Sequence, residues 1–200
     1  EKTLAQKTQT TYAAKIDKNS VNMVMDMLSK LYNDPMNAAI REYVSNAYDA
    51  NVEAGATKPV ELTLPCSEND GLLMVKDYGR GLDYMGIVSV FANFGTSTKR
   101  DSDNLIGGFG IGSKSGLAVS NAINVSSVCN NTLNEFVLER TPKGIVTRFT
   151  RENEPTEKDS GTTVTVNCGP SYYSGIKYIV TNFIPVIAGW SKHDVYVTNT

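Results

Sequence analysis

Arg41-Glu42-Tyr43-Val44-Ser45-Asn46-Ala47-Tyr48-Asp49-Ala50 is the stretch from which the rest of the chain is best read. Met36, Ala39, Ile40, Tyr43, Val44 and Ala47 recur at helical spacing and give the segment one apolar stripe. Asp34 suits an N-cap, Pro35 suits the first helical position, and a stop is expected near Gly55. On such a helix Glu42, Asn46 and Asp49 share a polar face turned away from the stripe. A carboxylate, a neutral oxygen ligand one turn on and a second carboxylate suit the wall of a metal–phosphate site. Magnesium takes few protein oxygens and completes its shell with phosphate and water, which makes Asn46 a candidate ligand. Glu42 is then left to orient or deprotonate a water. Taken alone, two acids on a helix more often mark a solvated face.

Two downstream segments change that balance. Asp77 follows the apolar run Leu72-Leu73-Met74-Val75-Lys76 and precedes Gly79, Gly81 and Leu82. A carboxylate at a strand end can accept a hydrogen bond from an exocyclic amine such as that of adenine, with the glycines letting backbone approach the ring. The bland reading is an Asx-type turn. Further on, Gly107-Gly108-Phe109-Gly110-Ile111-Gly112 runs into Ser113 and Lys114 at the start of an expected helix. Glycine-rich backbone entering a helix N-terminus offers free N–H groups to an anion. The spacing is neither the Rossmann fingerprint nor a Walker A. Lys99 and Arg100 are either phosphate contacts in a closing loop or solvated loop charges, and Lys114 is either a phosphate contact or a helix-surface lysine.

The remaining pattern gives helices early and hairpin-spaced strands late. A helix is expected over 20–32, strands over 60–64 and 72–76, a helix over 84–93 and a polar loop over 95–106. A helix over 113–120 precedes strands at 122–129, 133–140, 144–151 and 162–167, with a turn over 156–161. A helix over 172–188 and a strand over 194–198 follow, and residues 10–16 look extended. The fold class this implies is an α/β two-layer sandwich, a mostly antiparallel sheet covered on one face by helices, as one domain over 1–200 with a polar arm at 1–19.

Composition narrows the function classes. Hydrophobic residues make up 40% and charged residues 20%, with 19 basic and 21 acidic side chains and a net charge of −2. Nothing in that balance attracts nucleic acid or an anionic membrane. No apolar run approaches the ~20 residues that span a bilayer. Cys66, Cys129 and Cys168 form neither a zinc spacing nor a disulfide framework, so a reducing, cytoplasmic setting is expected. The only histidine, His193, stands far from every motif and builds no catalytic triad. The chain opens on Glu1 rather than Met, so a fragment of a longer protein is expected.

Taken together, these segments resemble the boxes of the GHKL superfamily, which includes DNA gyrase B, Hsp90, histidine kinases and MutL. Residues 42–50 resemble its N box, 77–81 its G1 box, 107–112 its G2 box, and Gly161-Thr162 the Gly-Thr of its last box. The run 101–115 and the run 31–42 further resemble the N-terminal part of bacteriophage rIIA-type proteins, which affect lysis inhibition and phage exclusion. The resemblance implies a Bergerat-type sandwich that binds ATP or ADP with magnesium. It also implies Glu42 as general base, Asn46 as magnesium ligand, and Asp77 on the adenine amino group with Thr162 supporting through water. Asp49 and Leu82 would line the nucleoside pocket, Gly108 to Gly112 would hold phosphates, and 94–106 would form a lid carrying Lys99. Hydrolysis driving a conformational change, a non-hydrolysing sensor that recruits a partner, and a histidine-kinase-type catalytic domain remain as alternatives. A homodimer or a protein partner would complete the assembly, with any membrane association through other regions. Relatives of the gyrase B, Hsp90 or MutL layout offer a γ-phosphate lysine from a further domain, so weak hydrolysis by this chain alone is expected.

Overall fold

A computed structural model describes residues 11–13, 34–92, 112–141, 144–173 and 195–198. The expected helices over 20–32 and 172–188, the lid over 94–106, Lys99, Gly107 to Ile111 and His193 lie outside the described residues, apart from a short 3-10 turn at Pro170–Tyr172.

Eight strands form one mixed sheet: β1 (Thr11–Ala13), β2 (Val60–Thr63), β3 (Leu72–Lys76), β4 (Ala122–Cys129), β5 (Thr132–Thr141), β6 (Gly144–Pro155), β7 (Gly161–Asn167) and β8 (Val195–Thr198). Their order across the sheet is β1-β6-β5-β4-β7-β3-β2-β8. Every neighbouring pair is antiparallel except β2 with β8. This is the expected α/β sandwich with a mostly antiparallel sheet.

Local chemistry sets most of the boundaries. Helix α1 (Pro35–Ala54) starts on Asp34, whose side chain accepts the Asn37 N–H, with Pro35 in the first turn, and it ends on Gly55 in the left-handed conformation. All six residues of the expected stripe are buried. The β4–β5 hairpin turns on Asn130 and Asn131, both at positive φ (50° and 58°). That is the backbone a two-residue turn needs to match strand twist, and asparagine tolerates it.

One face of the sheet carries the core. Ile123 and Val125 of β4, Phe136 and Leu138 of β5, Phe149 of β6 and Val166 of β7 are buried in it together with the α1 stripe. Phe91, Phe136, Phe149 and Tyr84 form a chain of ring contacts with centroids 4.6 to 5.6 Å apart, seating the 84–92 segment over β5 and β6. The opposite side of those strands carries ion pairs, Arg148–Glu139 at 2.9 Å and Arg151–Glu135 at 3.3 Å. A solvated face with charged ladders and a dry face under helices is what an antiparallel sheet allows.

Three boundaries differ from expectation. The helix over 84–93 is a single α turn, α2 (Tyr84–Ile87), that widens into a π turn at Val88–Ala92. The buried Lys114 Nζ donates to the Val90 carbonyl at 3.0 Å, taking an acceptor that a regular helix would use itself. The helix over 113–120 is a 3-10 segment, Gly112–Ala118. Its Gly116 N–H goes to the Tyr43 hydroxyl at 2.8 Å and is lost to any helical ladder. Strand β6 runs on to Pro155, past the expected end at 151. Polar residues 152–154 hid that extension, because its side chains face water and its pairing is irregular, with Asn153 at positive φ and its N–H on Asn134 Oδ1 at 2.9 Å.

Candidate functional site

Helix α1 presents the first group of expected site residues. Glu42 is partly buried, Asn46 is exposed and Asp49 is half-buried, in line along one face. Glu42 Oε1 has the neighbouring Arg41 Nη2 at 3.5 Å. Its other oxygen lies against Gly112, so close that a Cβ there would come within 2.6 Å of Glu42 Oε2. The carboxylate therefore meets the last glycine of the glycine-rich run, seventy residues away in sequence. No cluster of three His, Cys, Asp or Glu that could hold a metal exists among the described residues. A divalent cation at Asn46 would draw most of its oxygen ligands from a nucleotide and water, which suits magnesium and not a cage-bound metal.

The next residue on α1 ties the same two segments together from the dry side. The Tyr43 hydroxyl accepts the Gly116 N–H at 2.8 Å and donates to the Ser113 carbonyl at 3.4 Å. Burial pushes its phenol well above the usual tyrosine range. Sequence reading placed Tyr43 only on the apolar stripe. The signal available was that a phenol on a dry stripe needs a hydrogen-bond partner for its hydroxyl.

Lys114 is fully buried, at 0% exposure, so it is no helix-surface lysine. Its ammonium donates to Val90 O and, at 3.3 Å, to Ser113 Oγ. Burial brings its pKa down to about 8. In this arrangement its hydrogen bonds serve the π turn and Ser113.

Asp77 opens the second group. It sits at 7% exposure just past the end of β3. Its Oδ1 accepts two backbone amides, Gly79 N–H at 2.9 Å and Thr162 N–H at 3.0 Å. The Asp77 N–H donates to the Thr162 carbonyl at 2.9 Å, so the two residues clasp each other across β3 and β7. Oδ2 takes no hydrogen bond from the described residues. Burial raises the carboxyl pKa, and the two amides pull it partly back. Side chains would not fit at the glycines beside it: a Cβ on Gly79 would sit 2.9 Å from Ala50 of α1, and one on Gly81, at φ 68°, would strike the Val128 carbonyl.

Ser127 of β4, fully buried, was missed by sequence reading. Its Oγ accepts the Leu82 N–H at 2.8 Å and lies 3.1 Å from the Thr162 hydroxyl. It thus links Leu82, Thr162 and, through Thr162, Asp77. Strand alternation offered the clue, since Ser127 stands on the same face as Ile123 and Val125. Asn51, buried near the end of α1, was likewise missed. Its Nδ2 donates to the Lys58 carbonyl at 3.0 Å and its Oδ1 accepts the Tyr78 N–H at 2.7 Å.

The structure thus joins Glu42 to Gly112, and Asp77 to Thr162, Gly79 and, through Ser127, Leu82. Asn46 and Asp49 share the Glu42 face. Cys66, Cys129 and Cys168 form no disulfide among the described residues. No helix among the described residues is long and apolar enough to cross a membrane.

Comparison with known proteins agrees with this geometry at the level of the family. The family model described as histidine kinase-, DNA gyrase B-, and HSP90-like ATPase matches residues 32–160, well over half of the chain and a span that holds α1, the Asp77 loop and the glycine-rich run. No curated protein matches the chain, and the comparisons lend no support to the rIIA-type likeness. A one-faced, mostly antiparallel sandwich, a carboxylate helix set against Gly112 and a match of this length lead to one statement: the chain belongs to the histidine kinase-, DNA gyrase B-, and HSP90-like ATPase family.

Proposed function

We propose that the chain binds ATP with magnesium and hydrolyses it, with Glu42 as the group that orients and deprotonates water. The observation that supports this reading is the meeting of Glu42 Oε2 with the Gly112 backbone, the last glycine of the run proposed to cradle phosphate. A base must stand within hydrogen-bond reach of the water it activates, and the water must stand at the γ-phosphate. Asn46 would hold magnesium, and the ion would supply charge neutralisation to the phosphates. Backbone amides of Gly107, Gly108, Phe109, Gly110, Ile111 and Gly112, with Ser113, would cradle the phosphates, and Lys99 would meet the γ-phosphate.

At the other end Asp77 reads the base. Its Oδ1 is committed to two amides, leaving Oδ2 for the exocyclic amine of adenine. Guanine carries a carbonyl acceptor at that position, so it meets a carboxylate with nothing to donate. Asp49 and Leu82 line the nucleoside between the two ends, and Thr162 supports the base beside Asp77. The output of turnover is a conformational change conveyed to a partner or a second copy. A role like that of rIIA-type phage proteins is the finer form of this proposal, and it rests on residues 31–42 and 101–115 alone.

Measuring phosphate release alongside ATP binding tests the reading. Binding with slow, magnesium-dependent release is expected. Binding without release would make the domain a sensor, and label transferred from ATP to the protein would make it a kinase.

A further inference from the structure

Asn51 joins two stretches that the proposed function does not connect. It closes the C-terminal end of α1 and is 7% exposed. Its side-chain oxygen accepts the N–H of Tyr78, the residue between Asp77 and Gly79. Its side-chain nitrogen donates to the Lys58 carbonyl, beyond the end of the same helix. The adjacent Ala50 packs against Gly79, and the Gly79 N–H closes back on Asp77 Oδ1. Three consecutive residues of the Asp77 loop are therefore fixed, and Asn51 holds the middle one.

The surroundings reinforce this placement from outside. Lys58 Nζ lies 4.8 Å from the Tyr78 ring centre, and Lys76 Nζ lies 4.5 Å from it. Tyr78 donates its hydroxyl to Glu61. Lys58 also pairs with Asp159 at 2.5 Å, two residues before Gly161 and Thr162. These outer contacts are exposed ion pairs and ring contacts, which hold little on their own. Asn51 is buried and uses both ends of its amide.

We infer that Asn51 is a positioning residue that sets the base selectivity of the nucleotide site, by fixing the backbone from which Asp77 aims its open oxygen. The inference rests on the reading of Asp77 as the adenine-binding group. Without the Asn51 oxygen the Tyr78 N–H loses its acceptor and the loop must shift to find another. Hydrogen bonds weaken steeply as their angle closes, so a shift of the loop is felt at Oδ2. Discrimination between a base that donates and one that accepts is only as sharp as that alignment.

The two ends of the amide can be separated by mutation. Asn51→Asp keeps an oxygen for Tyr78 N–H and loses the donor to Lys58. Asn51→Leu loses both. The full chain, wild type and both variants, would be titrated with ATP and with GTP, alongside hydrogen exchange at the Tyr78 amide and thermal melting. Wild type should prefer ATP. Asn51→Asp should melt earlier yet keep the preference within about twofold and keep the Tyr78 amide protected. Asn51→Leu should expose that amide and lose about tenfold in affinity for ATP but not for GTP. Equal losses for both nucleotides, or an unchanged preference in Asn51→Leu, would overturn the inference. If Asn51→Leu does not fold, a lost preference in Asn51→Asp overturns it and a retained one supports it. A wild type with no preference for ATP would instead overturn the reading of Asp77.

Discussion

The two ends of the proposed nucleotide site are built in opposite ways. Around Asp77 nearly everything is dry and already bonded: two amides on one carboxylate oxygen, Ser127 between Leu82 and Thr162, and Asn51 on Tyr78. Around Glu42 the groups are more open, with Asn46 exposed, Glu42 and Asp49 partly exposed and Arg41 3.5 Å from Glu42. Beneath that wet surface lies a second dry layer, the Tyr43 hydroxyl and the Lys114 ammonium. Reading a base requires a carboxylate aimed beforehand, because selectivity depends on leaving the wrong base unpaired. Holding phosphate and a magnesium ion requires open valences, because nucleotide and water bring most of the ligands themselves.

The sharpest way to break this contrast is at Glu42. Glu42→Ala should lower turnover by about 10²–10⁴-fold, the usual contribution of a positioned base. ATP affinity should stay close to wild type, since a base acts mainly in the transition state. Single-turnover hydrolysis and calorimetry on one preparation check both halves. A wild-type rate would remove Glu42 from the chemistry and leave the wet end without a base.

Lys114 tests the dry layer beneath that end. Its proton is held less tightly folded, with a pKa of about 8, than unfolded at about 10.4. Between those values the unfolded chain binds more protons at this lysine, so its own contribution to stability should rise with pH from about 8 to about 10.4 and then level off, opposed by Cys168 and Tyr43, whose buried groups hold their protons more tightly in the folded chain. The rise should amount to no more than about 3 kcal/mol. Lys114→Met should flatten it, as read from denaturant midpoints across that range. An unchanged slope would assign the pH dependence to other groups.

At the base end Asp77→Asn should weaken ATP binding by about 1–3 kcal/mol and leave GTP nearly unaffected. The raised pKa of Asp77 adds a pH signature. ATP preference should fade on acidification at a higher pH than an ordinary aspartate, near ~3.9, would give. Equal calorimetric affinities of wild type and Asp77→Asn for ATP would remove the base reading. The smallest effect is expected outside the dry network. Lys58→Ala removes an exposed ion pair and a ring contact, and it should leave both the melting temperature and ATP affinity unchanged within error. A clear loss would mean that the outer contacts, and not Asn51, hold the loop.

How far the sequence could be read follows from how far apart the partners lie. Asp34, Pro35 and Gly55 mark α1 because caps act within one turn, and β3 and β4 fall where apolar alternation puts them. Glu42, Asn46 and Asp49 share a face because helical geometry alone requires it. Ser127 could have been found from alternation, but its partner Leu82 is 45 residues away. Asn51 looked like any polar residue at a helix end, because its role depends on Tyr78, 27 residues on. Lys114 was the least legible: its carbonyl partner is 24 residues back, and nothing local signals that a lysine will be buried.

The sequence by itself thus determined α1, the central strands, the one-faced sheet and the family, since each depends on periodicity, caps and motif order within short windows. The tertiary structure decided which groups meet: Glu42 with Gly112, Asp77 with Thr162, Asn51 with Tyr78, and Lys114 with Val90. Hydrogen-bond geometry is satisfied within tenths of an ångström, and such precision between distant segments comes only from the packed sheet and helix that bring them together.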